Sequence, residues 1–365
     1  MIPHFPDKLP LQDLDWSAFI ENLGPANRSL ARYDGLLQSI PNPSVLLSPL
    51  TTQEAVLSSK IEGTQATLEE VLRFEANPSR HVERYHDIQE IINYRKAMAY
   101  AVGALKERPL NLTLLLQMHH FLLEGVRGQD KSRGKFRTTQ NWIGKPGSPI
   151  EAARFIPPNP LELPFALNEF EKYLHFDEKD VLVQTAIIHA QFEILHPFND
   201  GNGRIGRILV PLFLFDRKIL QQPMFYISSY LEQNRTAYYD QLKEITDSGR
   251  WESWIRFFLK AIETQARKNI EKARQILSLY EEMKVEIVRG THSQFSLPSL
   301  DCIFNLPVFT SADFERQSGI PRASVGRLLK LMTGSGIIHI MEKGVGRRPA
   351  VYIFKRLIDI VNKTD

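Results

Sequence analysis

A single cysteine, Cys302, stands in 365 residues. That count excludes an internal disulfide and fits a reducing compartment, so a cytoplasmic protein is expected. Long apolar runs are also missing. Residues 208–215 form one of the longest, far too short to cross a bilayer, so no membrane partner is expected. The opening residues 1–6 lack a basic segment ahead of an apolar core, so no secretory signal is expected. Charge of one sign is scarce as well. The formal net charge is only +3, too small to assign nucleic-acid binding to the chain as a whole; the distribution of charge matters more. There is no repeat and no low-complexity tract. What remains is ordinary globular composition, 43% hydrophobic and 24% charged, at a length that suits two or three domains.

Apolar periodicity predicts helices along most of the chain. Residues 1–50 read as an extended arm with a helix or two, including an amphipathic piece at 27–39. Residues 51–72 turn helical, with Gly63 as a stop. Thr67-Leu68-Glu69-Glu70 has the pattern of a capping box opening the next helix. Helices are predicted over 85–105, 112–125, 161–176, 181–195, 203–215, 238–243 and 251–288. Residues 128–160 differ: glycines, prolines and the strand-forming stretch 138–144 predict a short hairpin and loop. Residues 291–298 read as a polar linker. Beyond them come a short helix at 311–317, a Gly319 turn, a second helix at 322–332, and strands at 337–341 and 350–354. That is the order of a winged helix-turn-helix.

The chemistry concentrates in His196-Pro197-Phe198-Asn199-Asp200-Gly201-Asn202-Gly203-Arg204-Ile205-Gly206-Arg207. Residues 201–206 match the dinucleotide-binding pattern G-x-G-x-x-G. That pattern needs a strand before the glycines, and the run before them has helical periodicity, so the dinucleotide reading fails. A plain helix–helix turn would account for Gly201 and Gly203. It would not account for Arg204 and Arg207 three apart on one helical face, nor for a histidine directly before proline at a buried helix end. A phosphate site accounts for all of them. The first turn of a helix binds anions, glycines let a phosphate approach, and arginines add forked bonds. Asp200 alone suits Mg²⁺, which takes one or two carboxylates plus phosphate oxygens and water. His196 is the obvious base for a hydroxyl proton.

This stretch resembles the Fic family signature H-x-F-x-[D/E]-G-N-G-R-x-x-R at every specified position. The resemblance implies a mainly α fold: a Fic-type helical core with a short β-hairpin flap, joined here to a C-terminal winged helix-turn-helix domain. It implies transfer of AMP from ATP to a Ser, Thr or Tyr hydroxyl of a protein, with release of pyrophosphate. His196 would be the general base and Asp200 would hold Mg²⁺. Gly201, Asn202 and Gly203 would form the anion hole at the α-phosphate. Arg204 and Arg207 would grip the outer phosphates along the helix through Ile205 and Gly206. ATP and an unidentified target protein, the enzyme itself included, are the implied partners.

Three further stretches carry the resemblance. Ser58-Ser59-Lys60-Ile61-Glu62-Gly63 matches the family's inhibitory pattern [S/T]-x-x-x-E-[G/N], which implies that Glu62 pairs with Arg207 and obstructs the γ-phosphate. A charge-assisted bond of about 1.5–3 kcal/mol would hold the competent state down roughly 10- to 150-fold. Residues 134–144 resemble the family's flap, which aligns an extended target segment by strand addition, and residues 153–158 after them are also family-like. Residues 231–239 resemble the stretch closing the adenosine pocket, with Asn234 and Tyr238 or Tyr239 as candidates for base and ribose contacts. His119, His120 and His189 lack partners at metal-ligand spacing and read as core or surface residues.

The expected organisation is an N-terminal helical region at 1–110 carrying the inhibitory motif, a catalytic core at 111–290 and the winged helix at 295–357. Residues 310–355 carry a net charge of +5, so DNA binding there is physically sensible, beside protein contacts or packing on the core. Two other functions stay open: removal of AMP with Glu62 positioning water, and DNA-binding regulation by a core that only senses nucleotide. A homodimer follows from the general prior for soluble enzymes.

Overall fold

Buried helices need no polar face, and the two flanking the signature have almost none. In the computed structural model, residues 2–79, 81–126, 131–144, 147, 149–346 and 348–363 are described. The helices, in order, begin with α1 (Ile20–Ser39), α2 (Pro43–Leu46), α3 (Ser48–Ile61), α4 (Leu68–Ala76), α5 (Tyr85–Ala104) and α6 (Leu112–Leu122). There follow α7 (Leu163–Leu174), α8 (Val181–Leu195), α9 (Asn202–Asp216), α10 (Ser228–Gln233), α11 (Arg235–Ser248) and α12 (Trp251–Thr291). The last are α13 (Ser296–Asn305), α14 (Ser311–Ser318), α15 (Arg322–Gly334) and α16 (Lys355–Asn362). Strands β1 (Val308–Thr310), β2 (His339–Glu342) and β3 (Val351–Ile353) form one antiparallel sheet in the order β1-β3-β2. The fold is mainly α, as the periodicity predicts. No helix among the described residues is long and apolar enough to cross a membrane.

Two compact units divide the chain. The first gathers the chain up to Gly35, Leu57–Gly63 and Ile92–Arg267; the second gathers Leu36–Val56, Thr64–Ile91 and the chain from Lys268 on.

The first unit is built around α8. Asp180 starts the helix, its carboxylate accepting from the N–H groups of Leu182 and Val183 at 2.8 and 3.2 Å. Thirteen of its fifteen residues are buried, so neighbours must cover it on every side. They do: α7, α9 and α11 pack on it. Trp254 of α12 donates its indole N–H to the Ala186 carbonyl at 2.8 Å. Each fully buried Leu or Ile contributes about 1.5–3 kcal/mol, which makes α8 and α9 a rigid base for the turn between them.

That turn is short and conformationally costly. His196 ends α8 in the left-handed region at φ 43°, its N–H donating to the Phe192 carbonyl at 3.0 Å. A residue before proline favours extended backbone, so His196 ahead of Pro197 is held where the chain alone would not place it. Gly201 also has positive φ, 80°, and caps α9 without a side chain.

The strand-forming stretch at 138–144 pairs antiparallel with the segment after it, the Ile143 N–H donating to Phe155 O at 2.8 Å and the Phe155 N–H to Ile143 O at 3.1 Å. Among the described residues it makes one isolated bridge, Ile143 to Phe155. Its facing segment carries Pro157 and Pro158, which have no N–H to offer a ladder. The signature turn takes other bonds from this region: the N–H of Arg137, just before the stretch, donates to the Pro197 carbonyl at 2.9 Å, and the Asn141 amide to the Phe198 carbonyl at 3.0 Å.

In the second unit, the capping box at α4 forms as expected. The Thr67 hydroxyl accepts from the Glu70 N–H, and the Glu70 carboxylate accepts from the Thr67 N–H at 2.7 Å. The linker expected at 291–298 is shorter, because α12 runs to Thr291 and α13 opens at Ser296. Strand β3 lies central, pairing Tyr352 with Phe309 on one side and Ile340 on the other. Helices α14 and α15 pack together ahead of the β2–β3 hairpin. Arg347, at the hairpin's loop, lies outside the described residues.

Candidate active site

The C-terminal end of α3 supplies the first pieces. The last carbonyls of a helix have no partner in the helix. Here the Glu62 N–H turns to Ser59 O, so Ser58 O looks outward. Arg207 of α9 takes it. One guanidinium donates from Nε to Ser58 Oγ at 2.8 Å, and from Nη2 to Ser58 O at 2.9 Å and Glu62 Oε1 at 2.6 Å. The Arg207 side chain is 1% exposed and that of Glu62 is 34% exposed. Gly63 follows at φ 104° and turns the chain away.

Protein crowding pushes the Glu62 pKa up. The charge and hydrogen bond of Arg207, with Arg204 and His196 behind them, outweigh it and leave the carboxyl below the usual Glu range. Burial works against the charge of Arg207, but Glu62 more than restores it and the guanidinium stays ionised. Gly203 is where the two elements come closest: a Cβ there would collide with Glu62 Oε1.

The turn itself is braced from three sides. The Asn202 amide closes it, accepting from Phe198 N–H and donating to Phe198 O, both at 2.8 Å. Its side chain is therefore spent on the turn, and the first-turn N–H groups of α9 are the donors left for an anion. Arg137, only 3% exposed, donates to His196 O at 2.9 Å, Leu195 O at 3.3 Å and Pro158 O at 2.6 Å. A cation at the carbonyl end of α8 is favourable. Burial alone pulls its pKa down to about 10, which leaves it charged near neutrality.

His119 of α6 is the third brace. Its ring stacks on Phe198 with centroids 3.9 Å apart. Gly134 N–H donates to Nδ1 at 2.9 Å, so Nε2 carries the proton toward Asp200 O at 3.0 Å. His189 is also a core residue, lying between Gly206 O at 2.9 Å and the Tyr238 hydroxyl at 2.9 Å. Neither histidine joins a metal cluster, and no group of three His, Cys, Asp or Glu able to hold an ion occurs among the described residues.

His196 faces the site with Nδ1 lacking a hydrogen-bond partner. Burial lowers its pKa to about 4, against the opposing pull of the Glu193 carbonyl. The ring is thus neutral near pH 7 and able to accept a proton. Asp200 pairs with Arg204 at 3.3 Å and Lys131 at 3.8 Å, its side chain 28% exposed. One carboxylate at a helix start is too small a donor set for a resident ion. It does fit an ion that arrives already bound to a polyphosphate.

Sequence reasoning passed over Glu193. It lies on α8, with Oε1 buried and unpartnered, against Gly206, where a Cβ would collide with it. Burial raises its pKa to about 8, Arg207 opposing and Glu62 adding, so it is protonated at neutral pH. The signal was available: a lone acid inside an otherwise uncharged helix. Arg137 gave no such signal, since Lys131, Arg133 and Lys135 stand beside it in the sequence.

Beside the turn lies a cleft of about 720 Å³, lined by Ile143 and Arg154, by Glu193, and by Arg235, Tyr239 and Thr246 of α11, among others. The nucleoside candidates divide here. Tyr239 lines this cleft. Tyr238 is buried against His189, and the Asn234 amide donates to Tyr230 O at 2.9 Å.

Comparison with known proteins gives the same reading from outside. The model of the Fic/DOC family N-terminal region matches residues 20–103, and that of the Fic/DOC family matches residues 109–214. A probable protein adenylyltransferase of Aquifex aeolicus is 26% identical over 201 residues, 54% of this chain and 56% of that protein. Protein adenylyltransferase Fic of Culex quinquefasciatus is 28% identical over 183 residues, 48% of this chain and 32% of that one. The chain thus spans between a third and just over half of these relatives. Among solved structures, a Fic family protein from Desulfovibrio desulfuricans G20 aligns with a TM-score of 0.61 at 19% identity, covering 97% of this chain and 98% of that one. Fic-1 from C. elegans aligns at 0.51 and 19% identity, covering 71% and 73%. With both family models spanning the signature and the helices before it, the chain belongs to the Fic/DOC family.

Proposed function

We propose that this protein transfers AMP from ATP to a hydroxyl of a protein substrate, and that Glu62 holds it inactive until displaced. The observation carrying this reading is the shared guanidinium of Arg207. It projects from a helix whose first turn is free to bind phosphate, and it is committed to Ser58 and Glu62.

The chemistry follows from the residues. The α-phosphate sits on the first-turn N–H groups of α9, approached closely at Gly201 and Gly203. Arg204 and Arg207 hold the outer phosphates along Ile205 and Gly206. The substrate hydroxyl oxygen bonds to the α-phosphorus, and His196 takes its proton. The bond from the α-phosphorus to the bridging oxygen breaks, and pyrophosphate leaves with its charge on the two arginines. Mg²⁺ arriving with ATP would sit at Asp200 and neutralise phosphate charge. The cleft at Tyr239 takes the nucleoside, and the segment at 134–144 aligns the target. The inhibitory state follows from charge competition: Arg207 cannot serve Glu62 and a γ-phosphate together.

Incubation with ATP labelled at the α-phosphate tests this, wild type beside Glu62→Gly and His196→Ala. Label on protein that rises in the first variant and vanishes in the second is the expected result. Equal labelling and equal ATP affinity with and without Glu62 would remove the inhibitory role. Loss of label from an already modified target, dependent on Glu62, would reverse the direction of the reaction.

A further inference from the structure

The exposed face of α15 has no role in nucleotide transfer, and its composition is unusual. Val325, Leu328, Leu329 and Met332 recur at helical spacing and are buried. The opposite stripe, Ala323, Gly326, Arg327 and Lys330, has the same spacing and is exposed, with Arg322 at its start. The helix contains no acid. Among the described residues Arg322, Arg327 and Lys330 form no ion pair, whereas Arg316 of α14 is paired with Asp313, and Lys355 with Glu69. The β2–β3 loop adds Lys343 and Arg348, both exposed. Its only acid, Glu342, is matched by Arg73 at 3.7 Å. Val345 at the loop's tip is 72% exposed.

Gly326 adds to the shape of this face, as an open helical glycine of the kind also found at Gly35 and Gly103. Glycine inside a helix is destabilising relative to alanine. Here nothing lies within 4 Å of where a Cβ would be. Neither packing nor backbone geometry within the chain requires glycine there. The open space leaves the helix backbone accessible to a close approach from outside the chain.

We infer that the second unit binds duplex DNA, with α15 in the major groove, Ala323 and Gly326 letting its backbone in, and Arg327, Lys330 and the β2–β3 loop on phosphates. Arg322 and Lys330 stand eight residues apart, roughly 12 Å along the axis, close to the width of the B-form major groove. The major groove of A-form RNA is too narrow to admit a helix. The helix order α14, Gly319 turn, α15, then hairpin is that of a winged helix-turn-helix. This inference stands apart from nucleotide transfer, which it neither uses nor requires.

Fluorescence anisotropy of the full chain with a labelled mixed-sequence DNA duplex, titrated from low to physiological salt, tests it. The wild type should bind at low salt and lose affinity as salt rises. Arg327→Ala with Lys330→Ala should lower the log–log salt slope by about 2 and weaken low-salt binding at least about tenfold. Gly326→Leu should weaken binding while leaving thermal stability unchanged or raised, which a merely structural glycine would not do. A duplex RNA of the same sequence should bind more weakly. No salt-dependent binding by the wild type, wild-type affinity in both variants, or RNA bound as tightly as DNA would each overturn the inference.

Discussion

At the scale of single residues, Arg207 is the contested group. Its three bonds to α3 are unequal in kind. The bond to Glu62 joins two charges, and such bonds are worth about 1.5–3 kcal/mol when shielded. Glu62 is 34% exposed, which weakens the pair, so the lower end applies. We expect Glu62→Gly to raise initial labelling rates about tenfold. The bond to the Ser58 hydroxyl is a charge-to-neutral one, and Ser58→Ala leaves the Ser58 carbonyl and Glu62 in place. We therefore expect only about a two- to fivefold rise from Ser58→Ala. A larger effect from Ser58 than from Glu62, in parallel rate measurements, would place the restraint in the helix end rather than in the ion pair. The pairing of Glu62 with Arg207 was stated from the sequence as an implication of family resemblance. The part played by the Ser58 carbonyl could not be, because it depends on where α3 ends and which way the last N–H turns.

At the scale of elements, the signature turn is held by pieces from distant parts of the sequence. Arg137 is the most heavily committed. Replacing it with methionine keeps much of the bulk but leaves the carbonyls of Leu195, His196 and Pro158 short of a donor. Unpaired buried acceptors cost about 1–3 kcal/mol each. With partial relaxation, Arg137→Met should lower stability by about 2–4 kcal/mol in denaturant titration, and labelling should fall with it. Unchanged stability would show that the turn closes through Asn202 alone. This element also marks a boundary of sequence reading. Helices α8 and α9 were legible nearly to the residue, because burial on all sides follows from an unbroken apolar pattern. The extent of pairing at 138–144 was not legible, because β-propensity reports a half-buried extended surface rather than a partner. The facing segment carries Pro157 and Pro158, and how far it pairs was not visible locally. Strand β1, helix α13 and helix α16 were missed for a related reason. They are short, and although α16 buries Leu357, Ile358 and Val361 at helical spacing, eight residues gave too little sequence to set it apart from the strand before it.

At the scale of the whole molecule, the chain's organisation was only partly legible. The compact units are discontinuous in sequence, residues 57–63 going with the first and residues 36–56 and 64–91 with the second. Contacts between distant segments set such boundaries, and composition does not record them. Acid stability is the property on which this scale bears most directly. Burial holds His119, His189 and His196 at pKa values of about 4, below the ordinary 6.5. Between those values the unfolded chain binds three protons that the folded chain does not, so stability falls as pH drops from 6.5 toward 4. Glu193 acts the other way. Burial raises its pKa to about 8, so the folded chain keeps a proton that the unfolded chain has lost above pH 4.5. For these four groups the net difference is about two protons between pH 4.5 and 6.5, or roughly 3 kcal/mol of stability lost per unit of pH. Above pH 6.5 Glu193 acts alone, and stability declines by roughly 1 kcal/mol per unit until its carboxyl ionises. Maximum stability is expected near pH 6.5, with a steep acid limb and a shallow alkaline one, measurable as midpoints of denaturant unfolding across pH. Glu193→Gln preserves the neutral form, so it should flatten the alkaline limb and raise stability near pH 6.5 by roughly 3 kcal/mol, the cost of protonating the native carboxyl two units above its unfolded pKa. A wild type without an alkaline limb would mean that Glu193 is ionised in the folded protein beside Arg207, and a limb that survives this substitution would assign it to another group.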